Sequence, residues 1–501
     1  MRPDTEKYIE TLEAAGLVEK VHVPAEIKKK EVEYISYDSQ DIKEGTLFVC
    51  KGAHFSSKYL AEALKKGAFI YISETEYEEN EVDASYIIVN DIRKTMALIA
   101  DLYYDRIWQR ITTVGITGTK GKSTTAYFMR SILDDHLKSR GKPFSAIISG
   151  IDNYDGVITE ESHLTTPEAM MLHRHFDNAV KSGIEYVSME VSSQALKYDR
   201  TMGITFDIGC FLNLGEDHIS PVEHPSVEDY MASKMILMHQ CKTAVINIDS
   251  RYGRQAADEA EDLAEKVVTF GEQPSADIYG YDVEPGRRGT AFRARGKDFD
   301  EGFKIGLTGL FNVSNALAAI AMSHELGIPI DNIKRGLEKA RVSGRMEIFT
   351  DHDETMTVIV DYAHNKMSFE ALFESVKKEY PGKKIMIVFG CPGKKAQRRR
   401  KELGQAAGKY CSKVFITEED AGEEPVLSIS NEIAVHVKEQ GCPYEIIEDR
   451  GEAIRKAIEE ADANTVLLLT GKGRETRQKR GIEYIDTPSD VEYVERYLGE
   501  K

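Results

Sequence analysis

The sequence predicts an α/β protein of three domains. They are an N-terminal mixed α/β domain, a central parallel sheet entered through a glycine-rich loop, and a C-terminal Rossmann-like doubly wound domain. Three observations predict this. The 501 residues are too many for one core and suit about three domains. The stretch Gly115-Ile-Thr-Gly118-Thr-Lys-Gly121-Lys122-Ser123-Thr124-Thr125 lies between an apolar β-branched run, Ile111-Thr-Thr-Val114, and a helical pattern with Tyr127, Phe128, Ile132 and Leu133 on one face. The last third of the chain alternates strand and helix patterns, which calls for a mostly parallel sheet covered by helices.

In order along the chain, residues 1–108 hold strands at Thr46–Cys50 and Ala68–Ile72 with a helix at Leu60–Lys66 between them. Residues 109–343 begin with the glycine-rich loop and continue with strands at 186–189, 208–212 and 244–248. Residues 344–501 read as strand 356–361, helix 367–379, strand 384–389, helix 398–410, strand 413–417, helix 427–439, strand 444–447, helix 451–460 and strand 465–470. Ligands of such sheets bind beyond the carboxyl ends of the strands. Those ends carry Asp361, Gly390, Thr417 and Gly471-Lys-Gly473.

Composition narrows the function. A net charge of −19 argues against nucleic acid as main partner, since a phosphate backbone needs a basic face, but leaves local nucleotide pockets open. The six cysteines are scattered without a CxxC pair, which disfavours a zinc site and suits reduced thiols in a cytosol. The charged start, MRPDTEKYIE, lacks the apolar core of a signal peptide. The longest apolar runs, such as Val466–Leu469, are strand-sized, so no membrane insertion is expected. The expectation is a cytoplasmic protein.

The loop between strand and helix reads as a phosphate cradle. Its glycines let backbone N–H groups close on phosphate oxygens at a helix N-terminus. Lys122 would neutralise the β/γ-phosphates and Ser123 would offer its hydroxyl to Mg²⁺. The spacing departs from the common Walker form, which needs glycine where Ile116 stands. Glu190 ends an apolar strand, where a Mg²⁺ ligand belongs; a helix cap or surface pair is the plainer alternative. His218 follows another strand end, as a second ligand or an exposed loop histidine. Lys234, from composition alone, reads as a solvated helix lysine. Gly390-Cys-Pro-Gly393 and Gly471-Lys-Gly473 suggest one shared cleft or two plain turns. The basic run Lys394, Lys395, Arg398–Lys401 is a solvated helix start or a binder of carboxylate or phosphate. The acidic run Glu418–Glu424 is a solvated loop or a recogniser of a cation.

These segments together resemble the Mur ligases, the ATP-dependent amide-bond synthetases of peptidoglycan precursor assembly. The branch resembled adds the third residue to UDP-N-acetylmuramoyl-L-alanyl-D-glutamate. Thr117–Ser123 resembles the family's phosphate loop, and Leu164-Thr165-Thr166-Pro167 its muramoyl-dipeptide contact. Met189-Glu190-Val-Ser192-Ser193 and Asn213…Asp217-His218 resemble its magnesium and substrate segments, and Arg200 falls where the family has an arginine on the substrate. Gly309-Leu-Phe-Asn312-Val-Ser-Asn315, Gly344-Arg345-Met-Glu347 and Asp361-Tyr-Ala-His364 resemble nucleotide contacts, and Asp38-Ser39 with Phe48-Val49 and Gly52 resembles the uridine-binding domain. Lys234 matches a lysine that is carbamylated in the family.

The resemblance implies catalytic roles for Lys122, Glu190, His218 and Lys234, with Ser123, Glu190, His218 and the Lys234 carbamate at the metal. ATP would meet Gly118, Thr119, Lys120, Gly121, Lys122, Ser123, Thr124, Asn312, Asn315, Arg345, Asp361 and His364. The UDP-substrate would meet Ser39, Thr165, Thr166, Ser192 and Arg200. The incoming amino acid would meet Lys395, Glu419, Asp420, Gly471 and Glu475. Departures are Gln40 in place of an arginine, Gln194 and Arg474 in place of histidines, and Lys395 in place of an arginine. The Asp-Asn-Pro-Arg motif of diaminopimelate-adding members is replaced by Glu419-Asp420-Ala-Gly422. The implied reaction is ATP-driven ligation of L-lysine through an acyl phosphate, by a monomer. The alternatives are the same reaction with meso-diaminopimelate, a folylpolyglutamate synthetase-like ligase, and a non-catalytic nucleotide-binding regulator.

Overall fold

A computed structural model describes residues 2–499 apart from 53–54, 78–83, 163, 216–218, 220–222, 287–288, 352–355 and 395–396. Asp217, His218 and Lys395 therefore lie outside the described residues. Among the described residues the strands form sheets of five, eleven, six and two strands.

The N-terminal sheet runs Val18–His22, Ser85–Val89, Ala68–Ser73, Thr46–Val49, Tyr34–Ser36, and only its first pair is antiparallel. Thr46–Val49 is buried along its whole length, as a parallel strand covered on both faces must be. The helix between it and the next strand spans Ser57–Lys65, starting earlier than its apolar pattern because the Ser56 hydroxyl caps it by accepting from Lys58 N–H.

The central sheet is built around Thr112–Thr117, which lies between parallel neighbours Tyr186–Glu190 and Phe206–Phe211. Cys241–Asn247 and Lys266–Gly271 extend it on one side and Ala146–Ile148 on the other, all parallel. The chain leaves Thr112–Thr117 through the helix Lys122–Ser139 toward one side and later returns on the other. The carboxyl end of that strand is thus a topological switch point. Val114 and Ile116 pack with Phe128, Met129 and Ile132 of the loop helix. Val187 and Met189 pack on the opposite face with Leu172, Phe176 and Met235. The sheet is then prolonged by antiparallel strands Gly289–Arg295 and Asp300–Ile305, beyond Ile278–Gly286, and by the short strands Asp152–Tyr154 and Thr159–Glu161.

The C-terminal sheet runs Glu347–Thr350, Thr357–Asp361, Thr465–Thr470, Lys384–Phe389, Lys413–Ile416, Tyr444–Ile446, parallel after its first pair. Every element expected in this segment forms, with ends shifted by at most a residue. Thr465–Thr470 is buried throughout, and its aliphatic side chains feed cores on both faces of the sheet. Among the described residues no helix is long and apolar enough to cross a membrane.

Candidate active site

The glycine-rich loop closes over the switch point. Gly118 and Gly121 have φ of +158° and +86°, and a Cβ on Gly121 would overlap Asn315 Oδ1. Gly121 precedes the first residue of Lys122–Ser139, so the open N–H groups of that helix face the loop. Asn213, at the end of the neighbouring strand, fixes the loop: its Oδ1 accepts from Lys120 N–H at 2.9 Å and its Nδ2 donates to Lys120 O at 3.1 Å. The Thr119 hydroxyl accepts from Gly215 N–H at 2.9 Å and lies 3.2 Å from the Tyr230 hydroxyl. Lys122 Nζ donates to Gly118 O at 2.8 Å, so the ammonium lies over the loop. Ser123 and Thr124 are buried behind it.

Glu190 pairs in register with Ile116, one residue before the strand enters the loop, so its carboxylate lies beside the cradle. Its Oε1 accepts from Gly150 N–H at 2.8 Å. Lys234 is 1% exposed, with Nζ 4.4 Å from the centre of the Tyr230 ring. The solvated lysine expected from composition is therefore corrected. The helix Val227–His239 turns Tyr230, Lys234 and Met238 onto one buried stripe four residues apart. Ser123 and Glu190 supply hard oxygen donors of the kind Mg²⁺ takes alongside phosphate oxygens.

The C-terminal sheet reaches the same place. His364 Nε2 lies 3.4 Å from Lys120 Nζ, and its Nδ1 is 2.8 Å from Tyr362 O. The Asp361 carboxyl accepts from Met346 N–H at 2.9 Å and Ala363 N–H at 2.8 Å; burial still pushes it above the ordinary value, against the pull of Arg345. Arg345 stacks over the Tyr362 ring at 4.7 Å. Asn312 Nδ2 donates to Thr308 O at 2.7 Å, and Asn315 Nδ2 donates to Asn312 Oδ1 at 3.0 Å.

Next to Glu190, the Thr166 hydroxyl donates to Glu190 O and accepts from Ser192 N–H, both at 3.0 Å. Arg200 donates to Thr166 O at 2.9 Å and pairs with Glu168 at 2.8 Å, and Glu168 also pairs at 2.6 Å with Lys51, which follows the strand Thr46–Val49. Thr165 borders Gly150. Ser39 stands apart from this group, donating to Glu62 at 3.0 Å.

The acidic run is solvated only in part: Glu418 and Glu419 are buried, while Glu423 is exposed. Glu418 pairs with Arg480 at 2.6 Å, Asp420 with Lys472 at 3.2 Å, Glu423 with Lys394 at 2.6 Å and Glu424 with Arg400 at 2.7 Å. Glu419 has no ion-pair partner among the described residues. It is 8% exposed, and burial pushes its carboxyl up to about 7 despite the pull of Arg450 and Lys472. A Cβ on Gly471 would overlap its Oε2, so that glycine leaves the space Glu419 fills, whereas one on Gly390 would first meet the Thr417 carbonyl oxygen and then crowd the Glu419 Cβ. Glu475 pairs with Lys472 at 2.6 Å and accepts from the Tyr362 hydroxyl. The basic run is largely spent internally: Arg400 also pairs with Glu432 at 2.9 Å, and Arg398 with Glu402 at 2.6 Å.

Three residues of this surround escaped the sequence reading. Asn247 ends Cys241–Asn247 and donates to the Ser314 hydroxyl at 3.2 Å, between Asn312 and Asn315. The strand-end rule that singled out Glu190 applies to it equally. Glu168 directly follows Thr165-Thr166-Pro167, and Tyr230 lies one helical turn before Lys234.

An α/β protein with a glycine–lysine loop at the switch point of its large central sheet belongs to the class of nucleotide-dependent enzymes. Comparison with known proteins makes the class particular. Residues 116–323 match the Mur ligase middle domain, and residues 344–473 match the Mur ligase glutamate ligase domain. The chain is 37% identical to a UDP-N-acetylmuramyl-tripeptide synthetase of Bifidobacterium longum, over 93% of this chain and 92% of that one. It is 36% identical to a UDP-N-acetylmuramoyl-L-alanyl-D-glutamate–L-lysine ligase of Streptococcus thermophilus, over 93% of each. Among solved structures, a UDP-N-acetylmuramoyl-L-alanyl-D-glutamate–2,6-diaminopimelate ligase shares the fold with a TM-score of 0.67 at 24% identity, over 100% of this chain and 99% of that one. The chain belongs to the Mur ligase family, whose members are ATP-dependent amide ligases.

Proposed function

We propose that this enzyme adds L-lysine to UDP-N-acetylmuramoyl-L-alanyl-D-glutamate at the expense of ATP, as the third step of a peptidoglycan peptide. The observation that carries the choice of lysine is Glu419, a buried carboxylate without an ion partner among the described residues, in a loop whose other acids are neutralised from within. Lysine ends in a bare ammonium, which such a carboxylate complements. Diaminopimelate ends in an added carboxylate, which calls for an arginine fork. The nearby arginines Arg398 and Arg400 are already engaged, and Gly422 offers no side chain. The names of the relatives from Streptococcus thermophilus and Enterococcus faecalis support the same reading.

In this reading residues 1–108, 109–343 and 344–501 are the UDP-substrate, ATP and amino-acid domains. The loop Gly118–Thr124 holds the ATP phosphates, with Asn312, Asn315, Arg345, Asp361 and His364 around the nucleotide. Lys122 balances charge on the phosphoryl group as it passes to the D-glutamyl carboxylate. Ser123, Glu190 and the Lys234 carbamate would hold Mg²⁺, which supplies further neutralisation of phosphate charge. Thr165, Thr166, Ser192 and Arg200 hold the dipeptide end, and Ser39 the uridine end. Lysine is held by Glu419, while Asp420, Gly471 and Glu475 shape the pocket. Its α-amino group attacks the acyl phosphate, releasing phosphate and a proton. The closed cleft keeps water from the same attack.

The test is incubation with the UDP-muramoyl dipeptide, Mg·ATP and equal L-lysine and meso-diaminopimelate, read by mass spectrometry. A lysine-containing tripeptide and phosphate release are expected. A mainly diaminopimelate product overturns the lysine assignment, and no product with either amino acid overturns the reaction.

A further inference from the structure

The helix Lys366–Glu379 belongs to the C-terminal sheet but has both ends on the central one. Its 14 residues span about 21 Å. At its start, His364 approaches Lys120 of the phosphate loop and Asn365 closes a capping box with Ser368. At its finish, Glu379 Oε1 accepts from Gly309 N–H and the Ser375 hydroxyl accepts from Leu310 N–H, both at 2.7 Å. Ser375 in turn donates to Glu379 Oε1 at 2.9 Å, while Glu379 Oε2 is buried without a hydrogen-bond partner among the described residues.

The amides so held open the helix Phe311–Glu325, which has no side-chain cap of its own. The N–H groups of Gly309 and Leu310, which lead into the helix, need an outside acceptor, and here it comes from another domain's helix. Asn312 N–H bonds back to Gly309 O at 2.7 Å, and Asn312 passes the constraint to Asn315, which touches the space above Gly121. Phe311 packs against the C-terminal core at the same junction.

We propose that Ser375 and Glu379 are positioning residues for ATP: they cap Phe311–Glu325 from across the domain boundary, so that Asn312 and Asn315 present a formed nucleotide site when the C-terminal domain is docked. The inference rests on the ATP reading of Asn312 and Asn315 and adds the device that holds them. Neither Ser375 nor Glu379 touches the nucleotide. Their effect is confined to ATP and leaves the dipeptide end, held by Thr166 and Arg200, as it was.

The experiment compares the full chain with Ser375→Ala/Glu379→Ala and with Glu379→Gln. Three quantities are read: hydrogen exchange of the peptide spanning Gly309 and Leu310, ADP binding by calorimetry, and the separate KM values for ATP and the UDP-muramoyl dipeptide. The double variant should exchange faster at 309–310 and bind ADP about tenfold more weakly, with KM for ATP rising in parallel, since two buried donors lose their acceptors. The dipeptide KM should stay within about twofold, and Glu379→Gln, which keeps an oxygen for Gly309 N–H, should stay within about threefold of the parent in ADP affinity. Faster exchange with unchanged ADP affinity, an equal rise in both KM values, or a glutamine variant no better than the double alanine would each overturn the proposal. A parent chain that binds no adenine nucleotide would overturn the ATP reading itself, whatever the exchange data show at 309–310.

Discussion

Glu419 gives a pH test of the proposed lysine site. Its carboxyl is raised from an ordinary 4.5 to about 7, with burial as the largest cause. Only the ionised form complements an ammonium, and the apparent affinity scales with the fraction of competent protein. The lysine side chain stays charged throughout this range. At pH 6 about one Glu419 in eleven is ionised and at pH 8 about ten in eleven, so L-lysine should bind about tenfold more tightly at pH 8. Calorimetry in buffers of different ionisation enthalpy should report release of about half a proton per lysine bound at pH 7. Binding is the right observable, because turnover also needs the α-amino group to shed a proton. Glu419→Gln should abolish the pH dependence and weaken lysine by about a hundredfold or more, the scale of an ammonium left without its buried partner. The same shift acts on stability with a definite sign. The folded pKa lies above the unfolded one, so the contribution is full below 4.5 and lost as pH rises to about 7, a loss of about 3 kcal/mol. Glu419→Gln should therefore melt at a higher temperature than the parent at pH 8 while binding lysine worse. Lysine affinity that is flat from pH 6 to 8, or indifferent to Glu419→Gln, would refute the placement of the ammonium.

Three other outcomes follow from the same geometry. Lys122→Ala and Glu190→Ala should each keep the parent circular-dichroism spectrum and lose about 10²–10³-fold in ligation rate, and near-normal turnover at saturating Mg·ATP would remove them from the chemistry. Lys234 should carry a carbamate, visible as a ¹³C signal after incubation with labelled bicarbonate. Lys234→Ala should regain part of its activity with acetate or propionate, because a carboxylate in the gap restores the charge an ammonium cannot supply to a Mg²⁺ site; a bare lysine in bicarbonate, with no rescue, refutes the modification. His173 is fully buried between aromatic rings, neither ring nitrogen is bonded among the described residues, and burial lowers its pKa to about 3. Its folded pKa is depressed, so its contribution is full above 6.5 and lost as pH falls toward 3, at up to about 1.4 kcal/mol per unit. His173→Phe should flatten acid destabilisation across that window, as read by thermal melting at pH 4, 5 and 6, and an unchanged slope would count against a neutral buried imidazole.

The C-terminal elements were legible because their strands are buried on both faces and read as unbroken apolar runs bounded by helical periods, as in Thr465–Thr470. The outer strands of the central sheet were not. Gly289–Arg295 buries Thr290, Phe292 and Ala294 on alternate positions, but arginines and an exposed face dilute a signal only seven residues long. Lys234 is legible from its spacing, since Tyr230 and Met238 put it on the buried stripe of its helix, but its charge alone points to solvent.

Glu419 is a different case, because nothing local distinguishes it from its acidic neighbours. It is set apart by where the other charges go: Glu418 to Arg480, Asp420 to Lys472 and Glu424 to Arg400, partners 62, 52 and 24 residues away. Each of those pairs is made by the order of strands in the sheet, which brings the turns after Phe389, Ile416 and Thr470 to one edge. In the proposed reading, the specificity of the site is therefore a subtraction performed by the fold. A loop with five acids presents one open carboxylate, and exchanging any of the four paired acids should change the shape and stability of the pocket more than its preference for a cation.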